Sequence, residues 1–139
     1  MPKRKLHIDT DYDFFLFGIC CPVKPYRLCW ALNNQLKVSF QKTEDWMLGS
    51  ENQKNIFGFP VFFFRDEDLF ADYRLIVNKI KNKIFLPEYK QADYLLMIRK
   101  GIPSLGKKII LQKIRNISFI QIVFEINPQE IKSRDLSSR

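Results

Sequence analysis

The apolar residues of this chain arrive in short runs that acids, prolines or lysines bring to an end. Asp11 to Cys20, Phe59 to Arg65, Phe70 to Val77, Ala92 to Arg99 and Ser118 to Ile126 are each seven to ten residues long. A transmembrane helix requires ~20, so none of them is a membrane span. Runs of this length, rich in Phe, Ile and Val, are the length of strands, and they predict a sheet. Thirteen Phe, two Trp and five Tyr among 139 residues give that sheet a bulky core. A domain near this length buries roughly two-thirds of the surface of its unfolded chain, without metal or disulfide staples. Disordered, collagen-like and coiled-coil classes are excluded on the same composition, and five glycines leave little for a glycine-lined cofactor loop.

Two segments carry a helical period instead. Pro25 suits a first helical turn, and Leu28, Cys29, Leu32 and Leu36 then fall on one face, with Asn33 and Asn34 on the wetter side. Ser104 after Pro103 is a candidate N-cap for a second helix. Its apolar stripe is Leu105, Ile109, Ile110 and Ile114, with Lys107, Lys108, Lys113 and Arg115 toward water. Lys37 to Lys42 alternates as a strand, Glu44 to Asn55 reads as a loop, and Asp66-Glu67-Asp68 forms the acidic tip of a hairpin. Pro87 marks Ile84 to Leu86 as a sheet edge or a strand end, because proline cannot donate to a central ladder. This order predicts a single α+β domain, a two-layer sandwich with a mostly antiparallel sheet of about five or six strands and two helices on one face. The first and last strands are expected side by side in its centre, as in ferredoxin-like folds with an extra hairpin. Residues 1–8 and 128–139 are polar and expected to fray.

Cys20, Cys21 and Cys29 are odd in number, and two are adjacent in an apolar run, which predicts no disulfide and a reducing, cytoplasmic setting. They read as small buried hydrophobes. With His7 as the single histidine, no zinc set can be completed. Lys3, Arg4 and Lys5 resemble the start of an export signal, but Asp9, Asp11 and Asp13 stand where its apolar region would begin.

The formal net charge of +8 is unevenly spread. From Arg74 to Arg115, eleven basic residues face two acids, Glu88 and Asp93. The basic residues are Arg74, Lys79, Lys81, Lys83, Lys90, Arg99, Lys100, Lys107, Lys108, Lys113 and Arg115. Such a stretch is a candidate footprint for a polyanion, though only three of the eleven are arginine, whose planar fork suits phosphate best.

Candidate chemistry is sparse. His7, Asp9, Asp11 and Asp13 would share one side of an extended strand, but the spacing lacks the glycine and the closing carboxylate of a calcium loop. A solvated strand face that resists edge pairing accounts for them. Serine-hydrolase elbows, phosphate-binding glycine loops and dinucleotide fingerprints are absent from the sequence. No cofactor and no metal are expected.

The segment Leu86-Pro87-Glu88-Tyr89-Lys90-Gln91-Ala92-Asp93-Tyr94 resembles the signature of the IPExxxVDY family, small proteins of the Bacteroidetes. Pro87, Glu88, Asp93 and Tyr94 match, and Leu86 and Ala92 are like-for-like changes. Asp11 to Phe14, Tyr26 to Asn33, and Phe124-Glu125-Ile126 are similar to the family pattern too. The resemblance implies a bacterial cytoplasmic protein whose gene neighbours serve ribonuclease III and fatty-acid synthesis, but no named activity. In physical terms Pro87 fixes the angle at which the chain enters the next strand, and the motif is expected to be a structural corner. The sequence therefore predicts a non-enzymatic interaction module whose Arg74 to Arg115 surface meets an acidic protein such as acyl carrier protein, or RNA. The alternative is an enzyme with a carboxylate pocket around Glu88, Asp93 and Tyr94.

Overall fold

The computed structural model describes the backbone of residues 14–49, 56–100 and 103–136, and the side chains of these except 100 and 103–105. Its strands are β1 (Phe14–Cys20), β2 (Gln41–Lys42), β3 (Trp46–Leu48), β4 (Phe57–Phe59), β5 (Val61–Asp66), β6 (Ala71–Val77), β7 (Lys79–Ile80), β8 (Lys83–Ile84), β9 (Tyr94–Lys100) and β10 (Ile122–Ile126). The helices are α1 (Pro25–Leu36) and α2 (Pro103–Arg115). Six strands form one antiparallel sheet in the order β10-β1-β9-β6-β5-β2. The chain is thus an α+β sandwich. The stretch β10-β1-β9-β6 has the strand order of a ferredoxin-like sheet, and β5 and β2 extend it. First and last strands do lie side by side, but β10 is the edge rather than part of the centre.

β1 is buried along nearly its whole length because both faces of the sheet are covered. On one face Phe17, Ile19, Leu75, Leu96 and Ile98 pack beneath Leu28, Cys29 and Leu32 of α1 and Ile114 of α2. On the other, Leu16, Ile76, Leu95 and Met97 lie under Trp46 and Phe59 of the β3–β4 hairpin, with Phe85, Leu86, Ile131 and Leu136. Trp46 and Phe59 meet the Phe85 ring edge-on at centroid distances of 5.0 and 5.4 Å, a favourable aromatic geometry. A two-layer reading left this face open. Hairpins and the C-terminal segment close it.

Three local expectations change for physical reasons. The segment Glu44 to Asn55 holds a strand, since Trp46 is apolar enough to be drawn beneath the sheet. Val38 and Phe40 are buried outside any ladder, their backbone turned by a bond from Phe40 N–H to the Asn33 Oδ1 at 3.0 Å. Helix α2 already includes Pro103, so Ser104 sits within its first turn rather than capping it. The C-terminal stretch is not frayed as far as it is described: Ile131 and Leu136 are buried, because two apolar side chains at this spacing fill the sheet's second face. Residues 1–8 and 137–139 lie outside the described residues.

At Gly18 the β1 backbone has a ring of β10 lying against it. Gly18 pairs with Phe124, and a Cβ at Gly18 would stand 2.4 Å from the Phe124 ring. That ring also packs against Tyr89, at 5.9 Å between centroids, so a retreat from Gly18 would disturb this contact. Gly18→Ala is expected to lower the unfolding free energy by about 1–3 kcal/mol, the usual range for overpacking a filled site. Urea denaturation measures this, and a mutant as stable as the parent would show that the ring yields.

Candidate functional site

The motif segment is a corner tied to four parts of the chain. Asn78, between β6 and β7, is fully buried, and every polar group it has is used. Its Nδ2 donates to the carbonyls of Tyr89 and Ala92 at 3.1 and 2.8 Å, and its Oδ1 accepts from Leu86 N–H at 2.8 Å. Its backbone N–H donates to the Asp93 carbonyl, and its own carbonyl accepts from Phe85 N–H. The Pro87–Tyr89 segment forms one 3₁₀ turn over this amide. Nothing in the sequence singles out Asn78, one of two asparagines in a Lys-rich connection; only its burial marks it.

Asp93, Tyr94 and Glu88 then hold other parts of the chain. Asp93 accepts from Cys21 N–H at 2.9 Å through Oδ2, and its Oδ1 meets Lys79 Nζ at 3.3 Å. The Tyr94 hydroxyl donates to the Val23 carbonyl, and burial pushes its pKa up. Both bonds fix the turn between β1 and α1. Glu88 accepts from Lys132 N–H, Ser133 N–H and the Ser133 hydroxyl at 2.8, 3.0 and 2.6 Å, pinning the C-terminal segment. Burial alone would raise the Glu88 carboxyl, but these donors outweigh it and hold it at about 2. Glu88 and Asp93 therefore serve separate partners and do not form a joint acid–base pair. Burial pushes the Cys29 thiol up to about 12 and the Cys21 thiol up to about 11, so both stay protonated, small and apolar.

Among the described residues no three His, Cys, Asp or Glu side chains gather at metal-binding distance. His7, Asp9, Asp11 and Asp13 lie outside the described residues.

The basic stretch from Arg74 to Arg115 is not brought to one surface. Arg74 and Arg99 lie on the sheet face away from the helices, over the rings of Phe63 and Phe14 at 4.8 and 5.5 Å. Lys79, Lys81 and Lys83 belong to the β7–β8 hairpin and its turn, where Lys83 stands over Phe57 at 4.6 Å. Lys107, Lys108, Lys113 and Arg115 ride on α2, and Lys107 pairs with Glu125 at 2.7 Å. The side chain of Lys100 is not among those described. The reason is sheet parity: Arg74 and Arg99 alternate with residues that face the helices, so they point the other way.

The fold sorts the charge by layer instead. The helical layer, residues 21–40 and 103–121, holds Lys24, Arg27, Lys37, Lys107, Lys108, Lys113 and Arg115 and not one acid. Those seven charges compare with +8 for the whole chain. Across this layer, between α1 and the turn after α2, runs an open groove of about 870 Å³. Ala31 and Ile117 are buried at its base, and Tyr26 and Trp30 stand on its rim with 73% and 68% of their surface exposed. Arg27 lies over the Phe119 ring at 5.2 Å on the same groove. The signal for it was present in the sequence: Tyr26 and Trp30 are four apart, off the stripe made by Leu28, Cys29 and Leu32.

Compared with protein-family models the chain matches none, and a search of the curated proteins gave no match.

Two outcomes follow from the corner. Asn78→Ala leaves Leu86 N–H and the Ala92 carbonyl buried without their side-chain partner, while the Tyr89 carbonyl keeps its bond from Ala92 N–H, and it is expected to cost about 2–4 kcal/mol of stability in urea denaturation. Glu88, depressed from 4.5 to about 2, stabilises the fold fully above pH 4.5 and loses that contribution as pH falls toward 2. Stability measured across that window should fall less steeply in Glu88→Gln than in the parent. Parallel curves would remove Glu88 from the acid response.

Proposed function

We propose that this chain is a non-enzymatic binding module that presents its helical layer to a polyanionic partner. The observation that carries this reading is the groove: two large aromatic side chains are left in water, on the layer that holds almost all of the net charge. Exposed aromatics rimmed by polar and basic groups are characteristic of contact surfaces. The motif carboxylates support the same reading, since their lone pairs are engaged in holding the chain's own backbone. The contact surface differs from the Arg74 to Arg115 stretch: it gains Lys24, Arg27 and Lys37, keeps Lys107, Lys108, Lys113 and Arg115, and loses Arg74, Lys79, Lys81, Lys83, Lys90, Arg99 and Lys100. RNA and an acidic protein such as acyl carrier protein are the two partner classes that fit it. The resemblance to the IPExxxVDY family is compatible with either.

Heparin serves as a generic probe. Binding at low salt should weaken steeply and linearly on a log–log plot as salt rises, because condensed counterions are released. Arg27→Glu with Arg115→Glu should reduce affinity by about tenfold or more, whereas Lys90→Glu, outside the helical layer, should leave it within about twofold. Negligible heparin affinity at low salt, or equal losses from both charge reversals, would overturn the proposal.

A further inference from the structure

We infer that the groove beside Trp30 takes single-stranded RNA, with unstacked bases lying on the Tyr26 and Trp30 rings. The inference rests on the binding-module reading and names the partner of that same surface.

Three features of the groove favour it over an acidic protein. First, the two exposed rings are one helical turn apart on α1, about 6 Å along the helix axis. Consecutive bases of an unpaired strand can each find a platform at such a spacing, and every base has a π-face to offer. A carboxylate would satisfy Arg27 but give these rings no flat partner. Second, among the described residues no Asp or Glu lines the groove, Arg27 does, and the helical layer carries six further basic residues, so a phosphate backbone meets no like charge in the groove itself. Third, the remaining polar side chains of the lining are the carboxamides of Asn34, Gln35 and Asn116 and the hydroxyl of Ser118, each able both to donate and to accept. Such groups suit base edges and the ribose 2′-hydroxyl, which is what separates RNA from DNA at a contact. A duplex would hide its base faces from the rings, so the occupant is single-stranded.

Tryptophan emission provides a direct readout. Of the two tryptophans Trp46 is buried, with 6% of its surface exposed, while Trp30 is 68% exposed, so a ligand on the groove changes chiefly the Trp30 signal. The full chain would be titrated at low salt with an unstructured mixed-sequence RNA oligonucleotide, its DNA counterpart, an RNA duplex, heparin and polyglutamate. The unpaired RNA is expected to quench emission saturably and to bind more tightly than the DNA or the duplex. Trp30→Ala should weaken RNA binding by about tenfold or more, in line with the loss of one stacked base, and weaken RNA more than heparin, which has no base to stack. Trp30→Phe should restore most of the RNA affinity, and thermal melting should show both variants folded, since the site is on the surface.

RNA bound equally well by Trp30→Ala, with heparin still bound, would overturn stacking and leave the polyanion reading standing. DNA bound as tightly as RNA would overturn the RNA assignment. Trp30-dependent binding of polyglutamate without RNA binding would replace RNA with an acidic protein. No affinity for any probe, heparin included, would remove both readings together.

Discussion

The buried side chain of Asn78 is the interaction on which the rest of this structure depends. A buried carboxamide is costly unless each of its groups is bonded, and here each is. Its partners are backbone atoms of Leu86, Tyr89 and Ala92, so a single residue holds the 3₁₀ turn and its flanks against the end of β6. That clamp adds to the backbone bonds from Asp93 N–H to Ile19 and from Asn78 N–H to Asp93 in fixing the segment that carries Glu88 and Asp93. With it, Asp93 and Tyr94 can grip the β1–α1 turn, and Glu88 can grip the chain after β10. The closure of the sheet's second face by Ile131 and Leu136 is thus secured by the same corner.

The fold was legible in the sequence where burial and periodicity coincide. β1 reads as a buried strand because it is apolar on both alternations, and α1 reads as a helix because Leu28, Cys29 and Leu32 share one face. Legibility fails where a residue's role depends on what lies across space. Trp46 looks like part of a polar loop until the apolar floor beneath it is known. Ile131 and Leu136 look like strays in a polar tail until the sheet offers them a place. Ile109, placed by spacing in the α2 stripe, is in fact 43% exposed, since the stripe is wider than the contact that Ile114 makes with the core.

Charge illustrates the same limit. Counting along the chain found a surplus between Arg74 and Arg115, yet strand alternation and the β7–β8 hairpin send those residues to different sides. Counting by layer finds a different surplus, built from two segments some sixty residues apart in sequence that only the sheet brings together. Linear density of charge is therefore a poor guide to surface potential in an antiparallel sheet, where neighbours in sequence are on opposite faces. The candidate groove was half legible, through Tyr26 and Trp30 on the wrong side of α1. Its other wall, Asn116 to Phe119, carries no sequence signal.

The corner and the groove are connected through α1. That helix has no side-chain bond at its N-cap, Lys24, and no acid in its first turn to favour the helix dipole. Its starting point is instead set from outside, by Asp93 on Cys21 N–H and by Tyr94 on the Val23 carbonyl, three residues and one residue ahead of the N-cap. Tyr26 is only three residues past Val23, so the rim of the groove is positioned by the motif although no motif residue lines it. A change at Asp93 or Tyr94 would then move binding and stability together, whereas a change at Trp30 would move binding alone. The motif is best understood as the fixture that sets the angle of the contact helix, with Asn78 as the fixture's own support.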